Sequence, residues 1–184
     1  GLIATAVSER SLSSGVDLRQ EASELYPREA RQQSDFTEAD VLALERTLYA
    51  SKIVSYAQGF SLLSEASRAN GWDLASIARI WRNGCIIRSS FLNDIAAAYQ
   101  AEPELKNLLL APYFHREVEE ARRDWRQTVA NAFLQECSVP AFASALSYFS
   151  SLTTRRLPAN LVQAQRDFFG AHTFERPICR CSST

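Results

Sequence analysis

The chain has 184 residues, 46% of them hydrophobic, which is enough for one core, so a single domain is the simplest expectation. Its 20 basic and 21 acidic side chains give a formal net charge of −1, and no overall positive field favours binding to nucleic acid or to an anionic membrane. No stretch approaches the roughly 20 apolar residues of a membrane span, and no signal peptide is apparent, so the sequence predicts a soluble, cytoplasmic protein.

Residues 16–36 form a polar region that is rich in Ser and Gln. This region is predicted to be a connection with room for a short helix. A long helix is predicted from about Thr37 to Asn70. Thr37 and Asp40 have the spacing of a capping box, and Asn70-Gly71 is typical of a helix end. The apolar residues that recur along this segment at mostly helical spacing are Val41, Leu44, Leu48, Ile53, Tyr56, Phe60 and Leu63.

The rest of the chain also carries helical patterns, separated by turn signals. The first predicted segments are a helix capped by Asp73 and ended by Asn83-Gly84, and a helix that begins at Ser89 or Ser90 and runs through Tyr99. A turn and a short helix are predicted near 103–110, followed by a long amphipathic helix from Pro112 to about Glu136 whose apolar face includes Phe133. The last predicted helices lie at about 140–153 and 158–169. Alternating β-strand patterns are absent, which predicts an all-α fold.

Motifs for cofactor, metal or hydrolytic chemistry are missing from the sequence. The six glycines are too far apart for GxGxxG, and the four cysteines lack the paired spacing of a zinc site, so no metal is expected. The two histidines are not adjacent in sequence to a cysteine or a GxSxG serine. Three tryptophans, Trp72, Trp81 and Trp125, lie on or beside apolar helical faces and are predicted to be in the core.

Four sequence blocks nevertheless resemble one enzyme family. They are LYASKIVSYAQGF at 48–60, GCIIRS at 84–89, NLLLAPYF at 107–114 and LPANLVQAQRDFFGAHT at 157–173. Each is similar to a segment of the 6-phosphogluconate dehydrogenases, in the same order, and the fourth resembles the C-terminal signature of that family. Residues 6–14 and 17–23 show a weaker likeness. The resemblance implies that residues 1–175 form the helical C-terminal domain of such an enzyme, incomplete at its start, with 176–184 as a divergent tail.

The resemblance also implies an activity. Enzymes of this family oxidise 6-phosphogluconate with NADP and release CO2 to give ribulose 5-phosphate, a step of the pentose phosphate pathway. It implies that the nucleotide-binding domain and the catalytic lysine and glutamate lie outside these 184 residues. The chain alone is therefore expected to be inactive, because hydride transfer needs a cofactor held against the substrate.

Three residues match ligands of the substrate in the family. Arg10 and Arg166 match arginines that bind the substrate phosphate, and His172 matches a substrate-binding histidine. In the family the last two act across a homodimer, so the resemblance implies that 6-phosphogluconate and a second copy of the chain are partners. A homodimer is also expected because a helical domain separated from the rest of the enzyme exposes an apolar face.

Without the family match, each of these residues has a plainer interpretation. Arg10 is then a surface ion-pair residue, as is Arg166 beside Asp167, and His172 is a cation at a helix end. The alternative function is correspondingly a non-catalytic helical scaffold or interaction protein derived from the enzyme. Lys52 and Tyr56 on the long helix are interpreted as structural.

Overall fold

The fold is known from a computed structural model, which describes residues 1–28, 36–82 and 86–173. Within these ranges the chain forms eight α-helices and one 3-10 turn and has no strand, which confirms the all-α prediction. The helices are α1 (Leu2–Ser14), α2 (Val16–Leu25), α3 (Glu38–Asn70), α4 (Leu74–Ile80), α5 (Leu92–Ala101), α6 (Pro112–Leu134), α7 (Pro140–Leu152) and α8 (Asn160–Gly170), with the 3-10 turn at Leu108–Leu110. The chain divides into two compact units, Gly1–Phe149 and Ser150–Thr184.

The long helix α3 begins and ends where its sequence signals predict. The Thr37 hydroxyl accepts the N–H of Asp40 at 3.2 Å, and the Asp40 carboxylate accepts the N–H of Thr37 at 2.9 Å, which completes the capping box. Hydrogen bonds from Thr37 to this carboxylate hold the pKa of Asp40 below its ordinary value. At the other end Gly71 takes a φ of +65°, a conformation that glycine adopts without steric cost.

The core of the first unit is formed mainly where α3 packs along α6, with the 3-10 turn against both and α4 packed on α5. Alanines alternate with large side chains along α3, which allows α6 to approach it closely. Trp125 of α6 is the largest fully buried side chain, and its ring lies 5.7 Å from that of Phe149. The other large side chains with almost no exposure are Phe60, Phe91, Phe114, Ile53, Leu92, Ile95, Leu108 and Val54.

One buried polar side chain joins three elements of this core. Asn107 accepts the backbone N–H of Leu109 at 3.0 Å and thereby caps the 3-10 turn. Its amide nitrogen donates to the hydroxyl of Ser61 on α3 at 3.1 Å and to that of Tyr148 on α7 at 2.9 Å. Asn107 is 93% buried, so these bonds replace those that water would otherwise make.

Helix α1 was not predicted from the sequence. It has no side-chain cap and no buried residue, so neither of the usual signals marks it. It is joined to the rest of the unit by a bond from the N–H of Leu2 to Gln58 at 3.1 Å and a hydroxyl contact of 3.1 Å between Thr5 and Ser144. The following helix, α2, falls within the region predicted to have room for a short one, and it too buries no residue.

The other predicted helix boundaries include the start and end of α4 and the start of α5. Asp73 caps α4 as predicted, accepting the N–H groups of the second and third helical residues. The start predicted for α5 is wrong, because the helix begins at Leu92, after Phe91, and no hydroxyl caps it. The proposed α4 end signal, Asn83-Gly84, lies outside the described residues.

Some predicted core positions are exposed instead. Val41, Leu44 and Leu48 follow helical spacing but lie 57%, 43% and 54% exposed at the start of α3. Trp72 is 46% exposed, so its prediction as a core residue is wrong, and Phe133 at the end of α6 is largely exposed as well. Periodicity identifies the apolar face of a helix, whereas burial needs a second element to cover that face.

The second unit contains the end of α7 and the whole of α8. Helix α8 begins at Asn160, slightly later than predicted, and has a strongly apolar side but no buried residue. Its large exposed apolar side chains are Leu161, Val162, Phe168 and Phe169. In the part of the chain that is described, no helix combines the length and apolar character needed to cross a bilayer.

Candidate functional site

The C-terminal end of α8 forms an open pocket on the second unit. Arg166 and His172, two of the three residues predicted to bind the substrate, both line this pocket, which has a volume of about 290 Å³. Gln165, Phe169 and Gly170 complete its wall. Both predicted ligands are exposed, so their guanidinium and imidazole groups are accessible to a dissolved molecule.

The chain reaches His172 through a tight turn after the helix. The N–H of Ala171 donates to the carbonyl of Asp167 at 2.8 Å, and Ala171 adopts a left-handed conformation with a φ of +51°. Thr173 has a φ of +57° and is left-handed too. Two non-glycine residues with positive φ within three positions are uncommon, and other contacts must compensate for their cost.

Those contacts come from two side chains of α8. The Asp167 carboxylate accepts the N–H of Thr173 at 2.7 Å, and the side-chain amide of Gln163 donates to the carbonyl of Thr173 at 2.9 Å. Gln163 and Asp167 are four residues apart, so both point from the same side of the helix. Together they bind both polar groups of the Thr173 backbone.

Gly170 gives the imidazole room to fold back against the helix end. A Cβ atom added at this position would lie 3.1 Å from both Cδ2 and Nε2 of His172. This is closer than ordinary van der Waals contact, so a larger residue at 170 would push the ring away. The glycine in the FFGAHT stretch therefore allows the histidine ring to lie close to the end of the helix.

The chemistry of this pocket suits an anion with hydroxyl groups. A guanidinium offers a planar fork of donors that matches two oxygens of a phosphate or carboxylate. The imidazole of His172 can donate to or accept from a hydroxyl, according to its protonation state. Phe169 adds an apolar surface beside them.

Arg10, the third predicted ligand, belongs to the first unit. It lies on the solvent-exposed side of α1, and no ion pair or hydrogen bond to its guanidinium occurs among the residues described. The ion-pair interpretation thus gains no support. From the sequence, no role was predicted for Gln163, and Asp167 was considered only as an ion-pair partner of Arg166. Gln163 and Asp167 are four residues apart on a helix that ends two residues before a histidine. This spacing was the signal in the sequence that could have indicated their role.

Comparison with known proteins assigns this chain to a family. The model of the 6-phosphogluconate dehydrogenase C-terminal domain matches residues 1–180. The chain belongs to the 6-phosphogluconate dehydrogenase family. It is 48% identical over 99% of its length to 6-phosphogluconate dehydrogenase, decarboxylating 2, of Saccharomyces cerevisiae, and 48% identical over 95% to the decarboxylating enzyme of Drosophila melanogaster. It spans 38% and 37% of the lengths of these relatives.

A solved structure agrees with this assignment. The 6-phosphogluconate dehydrogenase of Plasmodium falciparum, described in its apo form, with its cofactor NADP+ and with its substrate 6-phosphogluconate, matches 95% of this chain with a TM-score of 0.86 at 37% sequence identity. The match covers 38% of that enzyme. The family and the fold predicted from the sequence are thereby confirmed.

Proposed function

We propose that this chain forms the C-terminal helical part of a cytoplasmic, NADP-dependent 6-phosphogluconate dehydrogenase. The complete enzyme converts 6-phosphogluconate to ribulose 5-phosphate and CO2, and residues 1–175 supply subunit contacts and part of the substrate site. The observation that carries the proposal is the pocket shared by Arg166 and His172. A non-catalytic scaffold does not require an accessible arginine and an accessible histidine in the same pocket, whereas a site for a sugar phosphate does.

The proposed roles follow from the chemistry of the substrate. A phosphate monoester carries close to two negative charges at neutral pH, and Arg166 would bind two of its oxygens. Arg10, whose guanidinium has no ion pair or hydrogen bond within the described ranges, would contribute a second guanidinium to the phosphate bound by Arg166 of the other copy. His172 would hydrogen-bond an oxygen of the sugar acid. In this proposal Arg166 and His172 serve the active site of the partner copy.

The described residues do not fit NADP. Holding a dinucleotide requires a glycine-rich turn between a strand and a helix, but residues 1–28, 36–82 and 86–173 contain no strand, and the chain contains no GxGxxG. We therefore assign cofactor binding and the catalytic acid and base to the remainder of the enzyme. The role of this chain is to bind and orient the substrate.

The role of Arg166 can be tested in a complete enzyme made by joining this chain to the preceding segments of the yeast relative. We expect Arg166→Ala to raise the KM for 6-phosphogluconate by about 10- to 100-fold, since a hydrogen bond to a charged group contributes about 1.5–3 kcal/mol. The KM for NADP should change little. Steady-state kinetics with each substrate varied in turn would measure both values.

The matched control is Arg156→Ala. Arg156 is another exposed arginine of the second unit, outside the pocket, and its replacement should leave both KM values unchanged. If Arg166→Ala leaves the KM for 6-phosphogluconate at the level of this control, the substrate-binding role of the pocket is wrong and the scaffold interpretation is favoured.

We also propose that the chain forms a homodimer. Helix α8 exposes Leu161, Val162, Phe168 and Phe169, and a single 11-residue helix gains little by presenting four large apolar side chains to water. Light scattering of the purified chain at micromolar concentration should give about twice the mass of one chain. A strictly monomeric chain that stays in solution at that concentration would contradict the proposal.

A further inference from the structure

We propose that Asp167 and Gln163 are positioning residues, which hold the turn 171–173 so that His172 faces the same pocket as Arg166. The inference deepens the proposed function and rests on it, because the histidine that they position is one of its substrate ligands. It nevertheless concerns the conformation of the chain itself, so it can be tested without substrate.

The turn needs external bonds to persist. Ala171 and Thr173 both have positive φ, although neither is glycine, and L-residues avoid this region because Cβ approaches the backbone. The only bond from the backbone of α8 that closes the turn among the described atoms is that of Ala171 N–H to Asp167. That bond fixes the first residue of the turn, but it does not constrain the two residues that follow.

The side chain of Asp167 holds the peptide that matters most for the histidine. The N–H of Thr173 belongs to the peptide group joining His172 to Thr173, so the 2.7 Å bond to Asp167 Oδ1 fixes that plane and limits rotation of the His172 backbone. Gln163 binds the next carbonyl, that of Thr173, at 2.9 Å. With both bonds in place the imidazole packs over Gly170, on the side where Arg166 lines the pocket.

This explanation differs from one based on charge. If Asp167 acted mainly by attracting Arg166 or His172, its negative charge would be essential. In the arrangement described here its acceptor oxygen is essential, and an asparagine side chain has the same acceptor at the same distance from the backbone. Asp167→Asn and Asp167→Ala therefore separate the two explanations.

The experiment is NMR spectroscopy of the 184-residue chain. The chain has only two histidines, so the imidazole signals of His172 can be assigned against those of His115 on α6. The native chain should show a nuclear Overhauser effect between the His172 ring and the α-protons of Gly170. It should also show slowed hydrogen exchange at the Thr173 amide, and both signatures should persist in Asp167→Asn.

Asp167→Ala should abolish the contact between His172 and Gly170 and speed exchange at Thr173 by about tenfold or more, while the Cα chemical shifts of α8 stay helical. Gln163→Ala should weaken the contact, and Gln165→Ala, which changes a neighbouring pocket residue with no bond to the turn, should not. The inference is overturned if Asp167→Ala keeps both signatures, or if Asp167→Asn loses them as alanine does. These measurements use no substrate, so their failure is distinguishable from failure of the Arg166 test.

Discussion

Replacing Trp125 with alanine is expected to lower the free energy of unfolding by about 3–5 kcal/mol, the usual cost of removing a large aromatic from a core. Trp125 has no exposed surface and fills the region where α6 faces Phe149. A loss of this size is a large fraction of the roughly 5–15 kcal/mol that stabilises a typical domain. Urea denaturation followed by circular dichroism would measure it without relying on tryptophan fluorescence.

Two further variants make this prediction specific. Trp125→Phe should cost much less, because it keeps an aromatic ring and also removes an indole N–H for which the described residues provide no hydrogen-bond acceptor. Trp72→Ala is the matched control, since Trp72 is 46% exposed, and its cost should stay below about 1 kcal/mol. Equal losses for Trp125→Ala and Trp72→Ala would show that the described core packing is wrong.

Replacing Asn107 with alanine is expected to lower the free energy of unfolding by about 2 kcal/mol. The substitution leaves the buried N–H of Leu109 without an acceptor, which costs about 1–3 kcal/mol, and removes both bonds to the hydroxyls of Ser61 and Tyr148. The same denaturation experiment measures the loss. Asn107→Ser should recover part of it, because a serine hydroxyl can accept the Leu109 N–H but cannot reach both partners.

The control for Asn107 is Asn131→Ala. The side chain of Asn131 lies on the exposed side of α6, and within the described residues its hydrogen bond is to the side chain of Gln127, also exposed. Its replacement should therefore change stability by no more than about 0.5 kcal/mol. If Tyr148→Phe and Asn107→Ala were fully additive in the double variant, the bond between them would contribute nothing and this part of the network would be wrong.

Helix ends were predictable from the sequence where the local residues include a capping group or a residue that favours the left-handed conformation. Thr37 and Asp40 supply both partners of a capping box, and Gly71 supplies the left-handed residue, so α3 was located at both ends. Helix α1 has neither signal, and its hydrogen bonds to the rest of the unit, from Leu2 and Thr5, are not revealed by any local pattern. Such contacts depend on residues more than 50 positions away.

The residues proposed for the candidate site could be named from the sequence, but the geometry of the site could not. Arg166 and His172 could be named from the similarity of their sequence block to the family. The turn that brings them together depends on left-handed conformations at Ala171 and Thr173, and neither residue type signals such a conformation. Its bonds to Gln163 and Asp167 become visible only when the helix is built.

Helix α8 has only 11 residues and buries none of them, although it carries Arg166 and leads into His172, the two proposed substrate ligands of the second unit. A helix this short is marginal in water by itself, so much of the free energy that keeps it folded must come from a surface that covers it. If that surface is the second copy of the chain, assembling the pair and completing the substrate pocket are one equilibrium. The specific activity of the complete enzyme should then fall on dilution below the dissociation constant of the pair, and substrate should counteract the loss by favouring the associated state.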